Sequence, residues 1–237
     1  TFTYQVSDGA EVAEAEVTLA VTAPVILTYA NGYRYRRRLV VPSQAAGSDI
    51  ATHFVMLVRE SGEWLKSTAN GGKLQHPQGF DLRFELEDGT KLDHEIERHD
   101  LATGALLAWV RLPGLDLTSQ TRLWLYYGKA SLGGTEANPT AVWQAYLVVY
   151  NVRTGSDRTG RGRTLTPTRV TSGELLGDAG AFDGSAVASR ADATFLAGQT
   201  ALTVQALAAA DATMIGSSHG ILAQGPMDGS DGSAGLI

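Results

Sequence analysis

Apolar and polar residues alternate from the start of the chain. Thr1-Phe-Thr-Tyr-Gln-Val6 reads as a strand, Ser7-Asp-Gly-Ala10 as a turn, and Val12–Val21 as a second strand with Val17, Leu19 and Val21 on one face. Asp8-Gly9 is a hairpin signal, and Pro24 stops the second strand. A lone hairpin is not stable in water, so this one is expected to join a larger sheet. Further on, Tyr29–Val41 predicts a long strand, Phe54–Val58 a buried strand, and Ser61–Ala69 a short helix around Trp64 and Leu65. Four more strands are predicted near Phe80–Leu86, His94–His99, Leu106–Leu112 and Arg122–Tyr127. Asp88-Gly89, Thr103-Gly104 and Pro113-Gly114 are the predicted turns between them. Strands recurring every ~10–12 residues with turn signals between them predict an antiparallel sandwich.

The texture changes after Gly128. Gly128–Pro139 is small and polar and reads as a linker. The stretch 140–237 is rich in Ala, Gly, Ser and Thr, with weaker strands predicted at Ala145–Val152, Ala201–Ala208 and Ile221–Leu222. Gly225–Gly235 reads as a turn-rich loop, and a strand is expected to begin at Leu236-Ile237. The expected organisation is an all-β chain in three parts. Residues 1–23 are the last hairpin of a repeat, 24–143 a β-sandwich, and 144–237 a partial β domain, truncated or completed elsewhere. Both ends suggest a segment of a longer polypeptide.

Composition narrows the function classes. With 43% apolar and 19% charged residues, the 237-residue chain belongs with folded proteins. It has no apolar run of the ~18 residues that a membrane helix needs, so membrane insertion is not expected. Its 19 Lys+Arg against 25 Asp+Glu leave a net charge of −6, which argues against nucleic acid as a partner. The chain contains no Cys, which excludes disulfides, thiolate metal sites and thiol nucleophiles.

Several motifs carry a family likeness. Tyr33-Arg-Tyr-Arg-Arg-Arg-Leu-Val-Val41, Phe80-Asp-Leu-Arg-Phe84, Asp88-Gly-Thr-Lys-Leu-Asp-His-Glu-Ile-Glu97, Ala108-Trp-Val-Arg-Leu-Pro113, Leu123-Trp-Leu-Tyr-Tyr-Gly128 and Asn138-Pro-Thr-Ala-Val-Trp143 follow one another in order. Together they resemble a β-sandwich domain of unknown function widespread in bacterial surface proteins. Tyr33 stands where that family usually has Trp. Asp157-Arg-Thr-Gly160, Gly180-Ala-Phe-Asp-Gly-Ser185 and Ala201-Leu-Thr-Val204 resemble the first half of a concanavalin-like (laminin-G-type) jelly roll. Gln205-Ala-Leu207 departs from that pattern, which usually carries a Trp there. Phe2-Thr-Tyr-Gln-Val-Ser-Asp-Gly9 looks like the end of a cadherin-like or immunoglobulin-like adhesin repeat. The order of the three resembles the split scaffold domain in the ligand-binding region of long calcium-dependent bacterial adhesins. The resemblance implies an extracellular location on the bacterial cell surface.

Candidate chemistry falls into a few clusters. In Asp93-His-Glu-Ile-Glu-Arg-His-Asp100, strand alternation puts Asp93, Glu95, Glu97 and His99 on one face, with neighbours about 6.5–7 Å apart. That spacing touches the range for an inverting glycosidase or an oxygen-rich metal site. The plainer reading is a solvated strand face with Ile96 buried. Gly225-Pro-Met-Asp-Gly-Ser-Asp-Gly232 sets Asp228 and Asp231 among glycines, a composition that suits calcium, and the jelly-roll resemblance implies calcium on such a loop. The adhesin resemblance likewise implies interdomain calcium at Asp8. Asp183-Gly184 reads as a tight turn and His219 as an inert loop residue. Arg34, Arg36 and Arg38 share a strand face, which suits an acidic glycan or phosphate, or a solvated edge that discourages aggregation. Trp109 and Trp124 read as core. Arg153, Arg158, Arg161, Arg163 and Arg169, among Gly and Thr, read as a mobile loop. No G-x-S-x-G, H-E-x-x-H or P-loop signature is present.

The function expected is a non-enzymatic extracellular adhesin segment that holds or forms a ligand-binding site for a surface glycan or protein of another cell. A calcium-dependent lectin is the alternative, and a glycan hydrolase using Glu95 and Glu97 is a further one.

Overall fold

The structure is a computed structural model, and it describes residues 2–17, 27–43, 50–151, 154–166, 170–172, 178–180, 188–190, 194–197, 200–206, 222–224 and 234–236. The chain is all-β. Its first two strands, β1 (Phe2–Ser7) and β2 (Val12–Val17), pair antiparallel as a two-stranded ladder. The Asp8 carboxylate closes their turn, accepting the backbone N–H groups of Ala10 at 2.9 Å and Glu11 at 2.8 Å. Gly9 sits at φ 93°, a conformation that favours glycine.

Seven strands build the sandwich. They are β3 (Tyr35–Val41), β4 (Ile50–Ser61), β5 (Leu82–Leu86), β6 (Lys91–Leu92), β7 (His94–Asp100), β8 (Ala105–Asp116) and β9 (Thr121–Tyr127). One sheet has the order β3-β9-β5-β6 and the other β4-β8-β7. Alternation along each strand decides what lies between them. Leu123 and Leu125 of β9, Leu82 and Phe84 of β5, and Leu106, Ala108, Val110 and Leu112 of β8 are buried in one core. Full burial of a Leu or Phe is worth about 1.5–3 kcal/mol.

Several expectations need correction. The long strand expected over Tyr29–Val41 begins only at Tyr35, and the buried strand expected at Phe54–Val58 is part of the edge strand β4, with Phe54 exposed and Val58 buried. Pro113-Gly114 is not a turn: β8 runs straight through it, and its ladder with β4 resumes at Thr52↔Gly114 and Leu115↔Ala51. Proline lacks an N–H for the ladder, and Pro113 lies beyond the last paired residue of β7, where β8 has β4 alone beside it. Opposite it, His53 has φ 56°. The helix expected at Ser61–Ala69 is instead two single 3₁₀ turns, Glu63–Leu65 and Thr68–Asn70, with Leu65 fully buried. The Thr103-Gly104 turn is present, and its glycine is required. A Cβ on Gly104 would lie 2.1 Å from the Gly62 carbonyl oxygen, and φ is 76°.

The 128–139 stretch is tied to the sandwich at both ends, at Lys129 and at Glu136 and Asn138. Glu136 accepts from Arg83 Nη1 at 2.8 Å and from the Tyr33 hydroxyl at 3.3 Å. The Asn138 N–H donates to the His94 carbonyl at 2.8 Å. Asn138 then caps the short helix α1 (Pro139–Val142), with its Oδ1 accepting from the Ala141 N–H. Downstream, β10 (Tyr150–Asn151) pairs with β11 (Ser156–Asp157), β12 (Val170–Ser172) with β13 (Asp178–Gly180), and β14 (Leu222–Gln224) with β15 (Ala234–Leu236). These strands pair two by two, and the expected strand at Ala201–Ala208 is absent over its described residues 201–206. The strand expected to begin at Leu236 instead ends there: β15 takes in Ala234 and Gly235 of the expected loop, and Ile237 lies outside the described residues.

Candidate functional site

The polar sequence of β7 meets a break in its ladder. Pairing runs His94↔Val110, Glu95↔Trp109, Ile96↔Ala108 and then Arg98↔Leu107, so Glu97 is an extra, bulged residue. The bulge corrects the expected four-residue stripe. Glu95 and Glu97 both reach the outer face of the three-stranded sheet. His99 turns the other way, where its Nε2 lies 3.0 Å from the Leu65 carbonyl oxygen. Ile96 packs against the core, as expected.

The outer face is covered. Glu95 is 3% exposed. The Trp143 indole N–H donates to its Oε2 at 2.5 Å, and the Arg158 guanidinium contacts its Oε1. Glu97 accepts from the Trp109 indole N–H at 3.2 Å and from Arg158 Nη2 at 3.3 Å. The Trp109 and Trp143 rings meet edge to face, centroids 5.3 Å apart, and Tyr146 stacks edge-on to Trp143 at 5.4 Å. Arg161 donates to the carbonyls of Gln144 at 2.9 Å and of Tyr146, and Arg163 to that of Leu147. The arginine-rich stretch is thus a fastening rather than a mobile loop over its described residues. Arg153 and Arg169 lie outside them.

This geometry decides what the two glutamates can do. A glycosidase needs two carboxylates facing a cleft with room for a water or sugar between them. Here Glu95 and Glu97 converge on one guanidinium and two indole donors. A buried carboxylate is tolerable only with such partners. A cavity of about 210 Å³ is lined by Glu95 together with Phe80, His99, Thr135 and Pro139 among others, but not by Glu97. Burial lowers the His99 pKa from its ordinary value, against the opposing pull of the Leu65 carbonyl, Asp81 and Asp100.

The outer face of the four-stranded sheet is different. Register places Arg36 opposite Tyr126, Arg38 opposite Trp124, and Val40 opposite Arg122. Trp124 and Trp109 therefore belong to the outer faces, half-buried, and not to the inter-sheet core; Leu123 and Leu125 fill that role. On the far side of the same face, Glu85 accepts from Arg83 Nε at 2.5 Å and Asn31 Nδ2 at 3.2 Å. Burial alone would raise the Glu136 carboxyl, but Arg83, Lys91 and Lys129 hold it below its ordinary range. Burial, with the Glu136 charge, pushes the Tyr33 phenol up.

Of the expected calcium ligands, Asp8 lies in the hairpin turn, where the N–H groups of Glu11 and Ala10 hold its carboxyl below the ordinary value. Asp228 and Asp231, like Asp183 and His219, lie outside the described residues. Among the described residues no group of three or more His, Asp or Glu is gathered to hold a metal. None of their helices is long and apolar enough to cross a membrane.

Sequence reasoning missed Arg158 and Glu136 as organising residues. Arg158 stands 61 residues from Glu97 along the chain, and only the fold brings the two together.

These features define an antiparallel β-sandwich with one sheet face closed by the chain that follows. Residues 78–150 match the model of a domain of unknown function (DUF2341). The match spans β5 to Tyr150, including Glu95, Glu97, Trp109 and Trp143, and stops short of Arg158. No curated protein and no solved structure matches the chain.

Proposed function

We propose that the chain is a non-enzymatic, extracellular segment of a bacterial adhesin, in which the sandwich holds the following segment as a scaffold for a ligand-binding region. The observation that carries this reading is the seating of Arg158 between Glu95 and Glu97, with the Trp143 indole donating to the same Glu95 carboxylate. It commits the most reactive-looking carboxylates of the sandwich to fastening the next part of the chain. A rigid joint of that kind suits a module that presents a partner site in a fixed orientation. The order of segments, resembling that of calcium-dependent adhesins, supplies the surface setting, and calcium at Asp228 and Asp231 belongs to the same reading.

Limited trypsin digestion of the full chain tests the joint. Cleavage after Arg158, Arg161 and Arg163 is expected to wait for unfolding of the sandwich, and Glu95→Ala is expected to expose these bonds under native conditions. Rapid native cleavage there in the unsubstituted chain would overturn the scaffold reading. Incubation with a glycan panel tests the rest: turnover that disappears in Glu95→Gln would make the protein a hydrolase. Sugar binding in calcium that is lost in chelator, and in Asp228→Ala or Asp231→Ala, would make it a lectin.

A further inference from the structure

The chain is acidic overall, yet the outer face of the four-stranded sheet reverses that sign locally. Arg36, Arg38 and Arg122 occupy three rows of β3 and β9 on that face, all exposed. Among the described residues, no Asp or Glu lies within ion-pair distance of any of them, whereas Arg83, Arg111 and Arg158 are all paired with carboxylates. The arrangement around Arg36 is more than a solvated edge. Its guanidinium carbon lies 3.9 Å from the centroid of the Trp124 ring and 4.6 Å from that of Tyr29, and its Nη1 donates to the Tyr126 hydroxyl at 3.3 Å. Tyr29 in turn meets Tyr126 edge to face at 5.3 Å.

A surface arginine normally loses rotamer freedom when it binds a partner. Stacking has already removed that freedom from Arg36, while its planar fork stays accessible for a bidentate carboxylate. Arg38, two positions along the same strand, and Arg122, across the ladder, extend the cationic track along the face.

We propose that this face binds an acidic polysaccharide bearing uronate carboxylates. The arginines would take the carboxylates, and the exposed rim of Tyr29 and Trp124 would take the apolar C–H faces and hydroxyls of the sugar rings. An acidic peptide offers carboxylates on mobile side chains but no such rings. A nucleic acid carries a denser charge that a chain of net −6 repels. As a binding event this rests on the face alone. Its meaning as adhesion rests on the surface-segment reading, and the tryptic test of that reading can fail without affecting this one.

The test uses the full chain and polygalacturonate, with neutral dextran, polyglutamate and a dT oligonucleotide as comparison polymers. Retention on polygalacturonate at low salt is expected, with affinity at least tenfold weaker in Arg36→Ala/Arg38→Ala and several-fold weaker in Arg36→Lys, which keeps the charge and loses the fork. Arg98→Ala, an exposed arginine on the other sheet, is expected to bind as the unsubstituted chain does. Near-UV circular dichroism checks that each variant is folded. If loss of Arg36 disturbs Trp124, Arg122→Ala, outside the aromatic stack, provides the same test. The proposal is overturned by no retention, by binding that the arginine variants leave unchanged, or by polyglutamate or the oligonucleotide binding as tightly as polygalacturonate.

Discussion

The two outer faces of the sandwich start from similar sequence and end in opposite states. Strand β7 reads His-Glu-Ile-Glu-Arg-His-Asp and β3 reads Tyr-Arg-Arg-Arg-Leu-Val-Val, each with charges where a strand would meet water. On the three-stranded sheet those charges are covered: Glu95 keeps 3% of its surface, beneath Trp143 and Arg158. On the four-stranded sheet Arg36 and Arg38 remain exposed. Alternation says which residues point outward, but not whether the outside is solvent. A second layer of chain decides that. The covered charges become fastenings with a large stake in stability, and the open ones are free to meet a partner.

The sharpest way to break this contrast is Arg158→Ala. It strands a buried carboxylate, and unfolding in urea should show a loss of about 3–5 kcal/mol, the range for removing one partner of a buried pair. A loss below about 1 kcal/mol, the level of a surface pair, would put both faces in the same class.

A pH series probes the sheet behind the covered face. His94 points inward against the Phe84 ring, 5.2 Å between centroids, and is 1% exposed. Burial lowers its pKa from 6.5 to about 4, only partly opposed by a backbone hydrogen bond at Leu92, and Lys91 lowers it while Glu136 and Asp93 raise it. The unfolded chain therefore takes up a proton near pH 6.5 that the folded chain refuses until about pH 4. Stability should fall as pH drops through that window, with His94 contributing on the order of 3 kcal/mol at the acid end. The Glu136 carboxyl, depressed in the fold, adds a loss of the same sign. His94→Leu should flatten the slope between pH 6.5 and 4 in urea titrations; an unchanged slope would show that the ring does not resist protonation.

Smaller effects sharpen the picture. Trp143→Phe keeps an aromatic ring and removes the indole donor to Glu95, which should cost about 1.5–3 kcal/mol, the worth of a hydrogen bond to a charged group. On the open face, Arg38→Ala should change stability by no more than about 0.5 kcal/mol, as for a surface substitution. Thermal unfolding of both variants under one buffer checks the ranking.

Much of the sandwich was legible because its strands obey a period of two. Leu123, Leu125 and Tyr127 against Trp124 and Tyr126 is the arrangement that alternation predicts, and the Asp8-Gly9 and Thr103-Gly104 turns follow from glycine at the positions that need it. Pro113-Gly114 misled because the same dipeptide can pass along a strand where its neighbour has ended. Trp109 and Trp124 misled because large aromatics cover outer faces as readily as cores. The bulge at Glu97 left no mark in the pattern, since an extra residue in a run of polar side chains looks like any other. Arg158 lies 61 residues from Glu97, and no local signal specifies a pairing over that distance.

The covered face stands or falls on the coupling between Glu95 and Arg158. A double-mutant cycle of Glu95→Gln and Arg158→Met, read by equilibrium unfolding in urea at pH 7, isolates it. A coupling of at least about 2 kcal/mol is expected, with the double variant more stable than Arg158→Met alone because no charge is left stranded. A coupling below about 0.5 kcal/mol, with the single losses simply adding, would contradict it and return β7 to an ordinary solvated strand.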